Sequence, residues 1–182
     1  IEHLDSSIGR LLAALQERKL RENTLVVFLS DNGGVNDVYD VTHFTKGDGT
    51  QTRLTVDRSE YSNAPLRAGK GTLYEGGIRV PCLVRWPGKC RAGLVCDTPV
   101  QVTDWLPTFV SAAGVELPSD YAVDGLSLLP LLAGGSLPER SLYWYAPLYD
   151  LRWGATPAAA IRRGDLKLIE HFGDSFDADG EY

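Results

Sequence analysis

An α/β fold followed by a small antiparallel β part is predicted, on three observations. Leu4, Ile8, Leu11, Leu12 and Leu15 recur at the spacing of one helix face. The run 24–29 (Thr-Leu-Val-Val-Phe-Leu) follows as a continuous apolar, β-rich segment. A helix leading into an all-apolar strand is the signature of a sheet covered on both faces. After Pro138 the texture changes to short β-type runs. A boundary therefore falls near 134–140, with an α/β part over 1–135 and a small, truncated antiparallel β subdomain over 136–182.

The elements follow in order. The first helix covers the Leu4–Leu15 stripe and ends near Leu20, before Asn23, with Arg10, Gln16, Glu17, Arg18 and Lys19 on its wet side. The strand 24–29 comes next. Residues 35–63 are polar and poorly periodic, which predicts a functional loop or a partly ordered insertion. Residues 78–86 predict a buried strand closed by the Trp86-Pro87-Gly88 turn, and 95–102 a short strand. Residues 104–113 predict a helix capped by Asp104, with Pro107 in its first turn and Gly114 just past its end. Residues 127–133 form a helical turn before Gly134-Gly135. The runs 142–146, 158–163 and 166–170 predict strands, the last two joined by a tight Gly164-Asp165 turn.

Composition narrows the function classes. The 182 residues are 43% apolar and 23% charged, which is ordinary for a globular chain. The formal net charge is −6 and no basic run is present, so nucleic acid is not an expected partner. No stretch nears the roughly 20 apolar residues that span a bilayer. Methionine is absent and the chain opens on Ile1, which predicts a piece of something longer or a processed product. Cys82, Cys90 and Cys96 lack C-x-x-C spacing. Three unpaired thiols are favoured over one disulfide plus a free thiol. His3, His43 and His171 show no zinc spacing.

Two segments carry candidate chemistry. Ser30-Asp31-Asn32-Gly33-Gly34 follows the apolar strand directly, at the carboxyl edge where open α/β sheets bind ligands. Asp31 and Asn32 offer hard oxygen donors suited to Ca²⁺, with Mg²⁺ behind it. A plain Asn-Gly turn is the competing reading, and two oxygens are too few for calcium. In the second segment, residues 63–81, Lys70 stands between Gly69 and Gly71, so an anion can approach its ammonium closely. The flanking residues do not match a phosphate-binding P-loop. A solvated lysine is the competing reading. Glu75 and Arg79 are expected to pair with each other.

The chain resembles the sulfatase family, within the alkaline-phosphatase-like superfamily. The blocks occur in the family's order: Asp5, Gly9 and Leu15 in the first helix; 24–34 as "N-T-x-V-V-F-x-S-D-N-G"; 65–81 as "P-L-R-x-G-K-x-x-x-x-E-G-G-x-R-V-P"; 84–88 as "V-R-W-P-G"; 104–114 as "D-x-x-P-T-x-x-x-x-A-G"; and 156–169 as the late "A-I-R-x-G-D-x-K-L-I" hairpin.

The resemblance implies the C-terminal part of an alkaline-phosphatase-like sulfatase fold, a partial mixed sheet flanked by helices. It implies a parent that hydrolyses sulfate esters, with Asp31 and Asn32 as metal ligands and Lys70 as catalytic and sulfate-binding residue. His43, in a family-variable region, is offered as a substrate contact against a solvated loop histidine. A metal and a lysine aimed at oxygens that gain charge are the expected electrostatic stabilisers. Asn32, where superfamily phosphatases and phosphonate hydrolases tend to carry His, favours calcium and the sulfatase reading. The implied partner is a sulfated small molecule or sulfated glycan, and the implied compartment periplasmic, secreted or lysosomal.

Departures from the pattern matter. The formylglycine nucleophile arises from a C/S-x-P/A-x-R motif, which none of the three cysteines opens; Ser6 has Arg10 at the right distance but Ile8 where Pro or Ala belongs. Nucleophile, paired aspartates and further sulfate-binding residues are expected upstream, in a missing N-terminal half, so the isolated chain is expected to be inactive. The family's "W-H-Y-P" is Trp144-Tyr145-Ala146-Pro147 here, with Tyr145 favoured as a buried strand aromatic over a substrate contact. The alternatives are a phosphoryl or phosphonyl ester hydrolase of the same superfamily, or a non-catalytic binding domain of sulfatase ancestry.

Overall fold

The computed structural model describes residues 1–35, 39–45, 51–56, 62–147 and 156–172, with the backbone alone for 39–45 and 51–56. Contacts divide the chain into two units: Ile1–Phe28 with Cys82–Pro138, and Leu29–Pro81 with Glu139–Tyr182.

In the first unit, the leucine stripe produces helix α1 (Glu2–Glu17), none of whose residues is buried. Its end is closed by the Leu20 amide donating to Leu15 O (2.9 Å) around Lys19 at φ +57°. A 3-10 turn (Arg21–Asn23) leads to strand β1 (Val26–Leu29), which pairs with β4 (Cys82–Arg85). The strand expected over 78–86 is thus shorter. Residues Glu75–Ile78 instead make one helical turn, α2, and Pro81, which has no N–H to give a ladder, precedes β4. The strand expected over 95–102 is absent. Pro99 interrupts it, and the backbone passes directly into a 3-10 turn (Val102–Asp104).

Helix α3 (Trp105–Ala112) forms as its pattern predicts, with Gly114 at φ +70° just beyond it. Asp104 does not cap it in the expected way. Its carboxylate accepts instead from the Gln101 amide (2.8 Å) and the Leu126 amide (2.9 Å). Thr108 completes the tether: its hydroxyl donates to Asp104 O (2.6 Å) and accepts from the Leu128 amide (2.8 Å). Asp104 and Thr108 are both fully buried, and such groups persist inside only when hydrogen-bonded. Trp105, Leu128 and Leu131, the last on the short helix α4 (Leu129–Leu132), form the apolar core around them.

The second unit contains an antiparallel hairpin, β2 (Tyr39–Thr45) with β3 (Gln51–Val56), within the polar stretch expected to be a loop. Its β-branched residues suit a strand, and its register puts Tyr39, Val41, Leu54 and Val56 on one face, an alternation too short to stand out in the polar stretch and broken between Val41 and Phe44. The C-terminal strands follow expectation: β5 (Ser141–Ala146), β6 (Ala158–Arg163) and β7 (Leu166–His171) form one antiparallel sheet, with Gly164 at φ +55° in the β6–β7 turn. Register sets the faces. Leu142, Arg162 and Lys167 share one row; Trp144, Ala160 and Ile169 the next; Ala146, Ala158 and His171 the third. That face holds the buried Leu142, Ala158 and Ala160. Tyr143, Tyr145 and Leu168 lie on the other face and are exposed, so Tyr145, expected to be buried, is not. It meets Phe172 edge-on instead, with ring centroids 6.1 Å apart.

No helix among the described residues is long and apolar enough to cross a membrane.

Candidate functional site

The two candidate segments lie together in the second unit. After β1, the Ser30 hydroxyl donates to Asn32 O (3.0 Å) and the Asn32 amide to Asp31 Oδ1 (3.0 Å), folding a tight turn. Asp31 is exposed and Asn32 half-buried. The Gly33 amide donates to Gly77 O (2.8 Å). A Cβ on Gly33 would overlap the Gly76 carbonyl, and one on Gly76 would overlap Ala68 O. Glycine is therefore required at both positions for backbone to pass against backbone.

The lysine segment is stitched to the same turn. The Lys70 amide donates to Gly34 O (3.1 Å), and the Asn63 side-chain amide reaches both Gly34 O (2.8 Å) and Ala68 O (3.1 Å). The Gly76 amide donates to Arg67 O (2.8 Å), and the Thr72 hydroxyl to Gly69 O (2.9 Å). Asp31, Asn32 and half-buried Lys70 thus stand on two turns sharing one hydrogen-bonded backbone frame. His43 lies in β2, in the irregular register between Val41 and Phe44; its side chain falls outside the described residues. Asn63 was legible only as the first residue of the lysine segment. An amide that bridges two carbonyls across 29 positions leaves no local signal.

Glu75 does not pair with Arg79. Its carboxylate accepts from Lys167 Nζ (2.9 Å) and Arg162 Nη1 (3.4 Å), cross-strand partners on β7 and β6. Beside it, the Arg67 guanidinium lies 4.0 Å from the centre of the Tyr74 ring. Arg67, Tyr74, Glu75, Lys167, Ile169 and His171 line a recess of about 380 Å³.

The donor set around Asp31 and Asn32 is one carboxylate and one amide, the oxygen chemistry of a hard cation. Among the described residues, no group of three or more His, Cys, Asp or Glu could hold a metal ion. Asp31 and Asn32 therefore fit part of a calcium site, not a whole one.

Comparison with known proteins gives consistent matches. The family model Sulfatase matches residues 1–115, and N-sulphoglucosamine sulphohydrolase, C-terminal, matches 68–179. The N-acetylgalactosamine-6-sulfatase of Canis lupus familiaris is 35% identical over 145 residues, covering 80% of this chain and 24% of the relative. The steryl-sulfatase of Mus musculus is 40% identical over 159 residues, covering 84% and 23%. The chain thus spans about a quarter of the length of these relatives. Among solved structures, BT4656 in complex with its substrate D-glucosamine-2-N,6-O-disulfate matches with a TM-score of 0.67 and 29% identity, covering 93% of this chain and 30% of that one. Ps i-CgsB in complex with k-i-k-neocarrahexaose matches with a TM-score of 0.67 and 30% identity, covering 92% and 32%.

Proposed function

The chain belongs to the sulfatase family, its fold is the C-terminal part of the alkaline-phosphatase-like architecture, and from that premise we propose that the parent protein hydrolyses sulfate esters. The observation that carries the reading is the shared frame of the Gly33–Gly77 and Gly34–Lys70 backbone bonds, which holds two oxygen donors and one lysine on adjacent turns. We read residues 1–135 as the latter part of the catalytic domain and 136–182 as a small antiparallel subdomain.

Asp31 and Asn32 are the proposed ligands of a divalent cation, Ca²⁺ ahead of Mg²⁺. When bound, the ion would offset negative charge on the ester's sulfate oxygens. Lys70 is the proposed catalytic and substrate-binding residue. Lys70 is flanked in sequence by Gly69 and Gly71, whose missing side chains leave an anion room to approach. In a site shielded from water, such a cation stabilises charge that develops on the sulfate and leaving oxygens. His43 is retained as a proposed substrate contact. The nucleophile is assigned to a formylglycine upstream of Ile1, since none of the three cysteines opens a C-x-P/A-x-R motif. A sulfated glycan or a sulfated small molecule is the proposed substrate class; the saccharide complexes among the solved structures support the glycan, and the steryl-sulfatase relative supports the small molecule. By family analogy the compartment is periplasmic, secreted or lysosomal.

The test is turnover of a chromogenic aryl sulfate and of sulfated sugars by the intact parent, before and after Lys70→Ala. A loss of about 10²- to 10³-fold in kcat is expected for removal of such a stabilising group. Unchanged turnover would remove Lys70 from the mechanism. Hydrolysis of phosphate esters in preference to sulfate esters would replace the reading with the phosphoryl-transfer alternative.

A further inference from the structure

The recess beside Glu75 is not used by the sulfate chemistry proposed for Lys70. We propose that it is an accessory anion subsite that takes a second sulfate group of a multiply sulfated saccharide; this rests on the sulfatase reading for the location of the reacting ester.

Three features of the recess argue for it. First, its wall on β7 is made by alternate residues, Lys167, Ile169 and His171, which by register share one face of the sheet. Alternate strand residues stand roughly 7 Å apart, so this row is about as long as a sugar ring with its substituents. Second, the charge is unbalanced. Glu75 is a single carboxylate set against Lys167, Arg162 and Arg67, of which the first two already engage its oxygens. Three cations against one carboxylate leave a net charge of +2 among these four groups, and Arg67, which Glu75 does not engage, has a planar guanidinium suited to forked contact with an oxyanion. Third, the rings are arranged for an amphipathic ligand. Arg67 lies over Tyr74, and Tyr74 stands 6.3 Å from His171, centroid to centroid, at an interplanar angle of 41°. The Thr156 hydroxyl, 3.0 Å from His171 Nδ1, holds that imidazole in place. Together these give a cationic rim over a partly apolar floor, which fits a sulfated sugar better than a lone aryl sulfate.

The recess and the proposed reaction site share one chain segment: Arg67 and Tyr74 flank Lys70 in sequence, and the Gly76 amide closes that segment on Arg67 O (2.8 Å). On the proposal, a ligand that engages both Arg67 and Lys70 carries two anionic groups. The subsite would select disulfated over monosulfated rings without altering the reacting group.

The experiment is calorimetric binding to the intact parent with EDTA present, so that no turnover is required. The probes are methyl galactoside and its 6-sulfate, 2,6-, 3,6- and 4,6-disulfates. At least one disulfate is expected to bind about tenfold tighter than the 6-sulfate, the effect of one charge-assisted contact. Arg67→Gln and, separately, His171→Ala are expected to reduce that preference severalfold while leaving 6-sulfate binding unchanged; thermal unfolding verifies that both variants fold. No disulfate preference, no binding of any probe, or a preference that survives both variants overturns the proposal. A preference that is lost in Arg67→Gln while the parent shows no sulfate-ester turnover would sustain the subsite and sink the sulfatase reading. Lys70-dependent turnover without the preference would do the reverse.

Discussion

Lys167 on β7 donates its ammonium to Glu75 over 2.9 Å, joining residues 92 positions apart. The same carboxylate takes the Arg162 guanidinium at 3.4 Å, and the Lys167 ammonium also stands 5.3 Å from the centre of the Trp144 ring. All three charged side chains are largely shielded, which keeps salt from screening them fully. Glu75 opens α2, so the pairing anchors the segment that contains Lys70 to the C-terminal sheet within one unit.

Removing the partners should not be symmetric. Glu75→Gln leaves Lys167 and Arg162, cross-strand neighbours, facing each other without a counter-charge. A loss of about 2 kcal/mol is expected. Lys167→Met keeps the apolar stem and leaves the Arg162–Glu75 pair, so about 1 kcal/mol or less is expected. Urea unfolding of both single variants and the double variant measures the difference. A double variant as unstable as the sum of the singles would show that the two groups do not interact.

Gly33 and Gly76 make the second prediction. Neither has a positive φ, so conformational freedom is not why they are needed; the obstacle is backbone on the far side of each Cα. Gly33→Ala must push the turn carrying Asp31 and Asn32 away from α2, breaking the Gly33–Gly77 bond. A cost of about 3 kcal/mol or more is expected. Gly9→Ala is the control, because nothing lies within 4 Å of its added methyl; there helix propensity predicts a gain of about 0.5–1 kcal/mol. Equal melting temperatures for the Gly33 and Gly9 variants would refute the close approach.

These glycines show what was legible in the residues and what was not. Patterns with a local cause transferred well: the leucine stripe of α1, the Gly114 and Gly164 turns, and the alternation in β5 to β7. Elements failed where long-range packing decides. In the β2–β3 hairpin the apolar alternation of Tyr39, Val41, Leu54 and Val56 is short and is broken by the irregular register between Val41 and Phe44, and Pro99 stopped a run that hydrophobicity alone favoured. At the site, the residue types in 30–34 and 65–81 pointed to both segments. Their union through Asn63, and the choice of Arg162 and Lys167 over Arg79 for Glu75, are tertiary facts. Spacing along a chain does not encode which cation a folded sheet will present.

All three cysteines are free thiols, as favoured over a disulfide. They are not expected to react alike. Partial burial of the Cys82 thiol raises its pKa, because desolvation penalises the thiolate, although the residue as a whole is exposed. At a given pH near neutrality, Cys82 therefore holds less thiolate than a simple peptide thiol and should alkylate more slowly. Raising the pH should narrow that gap. The linked stability has the matching sign: its share is present below the unfolded-state pKa and is lost as pH rises through the folded one. Timed iodoacetamide labelling with peptide mass spectrometry reads each site separately. A Cys82 rate above that of a peptide thiol at pH 7 would contradict the assignment.

The last prediction concerns the 182-residue chain by itself. Calcium prefers six to eight oxygen ligands, and Asp31 with Asn32 supplies two side-chain donors. One Asp31 oxygen already accepts the Asn32 amide (3.0 Å), which orients the carboxylate and also competes for its lone pairs. Weak binding follows, with a Kd on the order of millimolar or above. Asp31→Asn should weaken it further, because the pair then has no formal negative charge to offer a dication. Turnover of an aryl sulfate by this chain should be undetectable, since none of its three cysteines opens the C-x-P/A-x-R motif from which the nucleophile could form. Calorimetric calcium titration and a sulfate-release assay on the same preparation test both statements. Micromolar calcium affinity would mean that more ligands converge on Asp31 than the two adjacent donors. Turnover would mean that the chain has a nucleophile of another kind, and would move the search to the residues around Lys70.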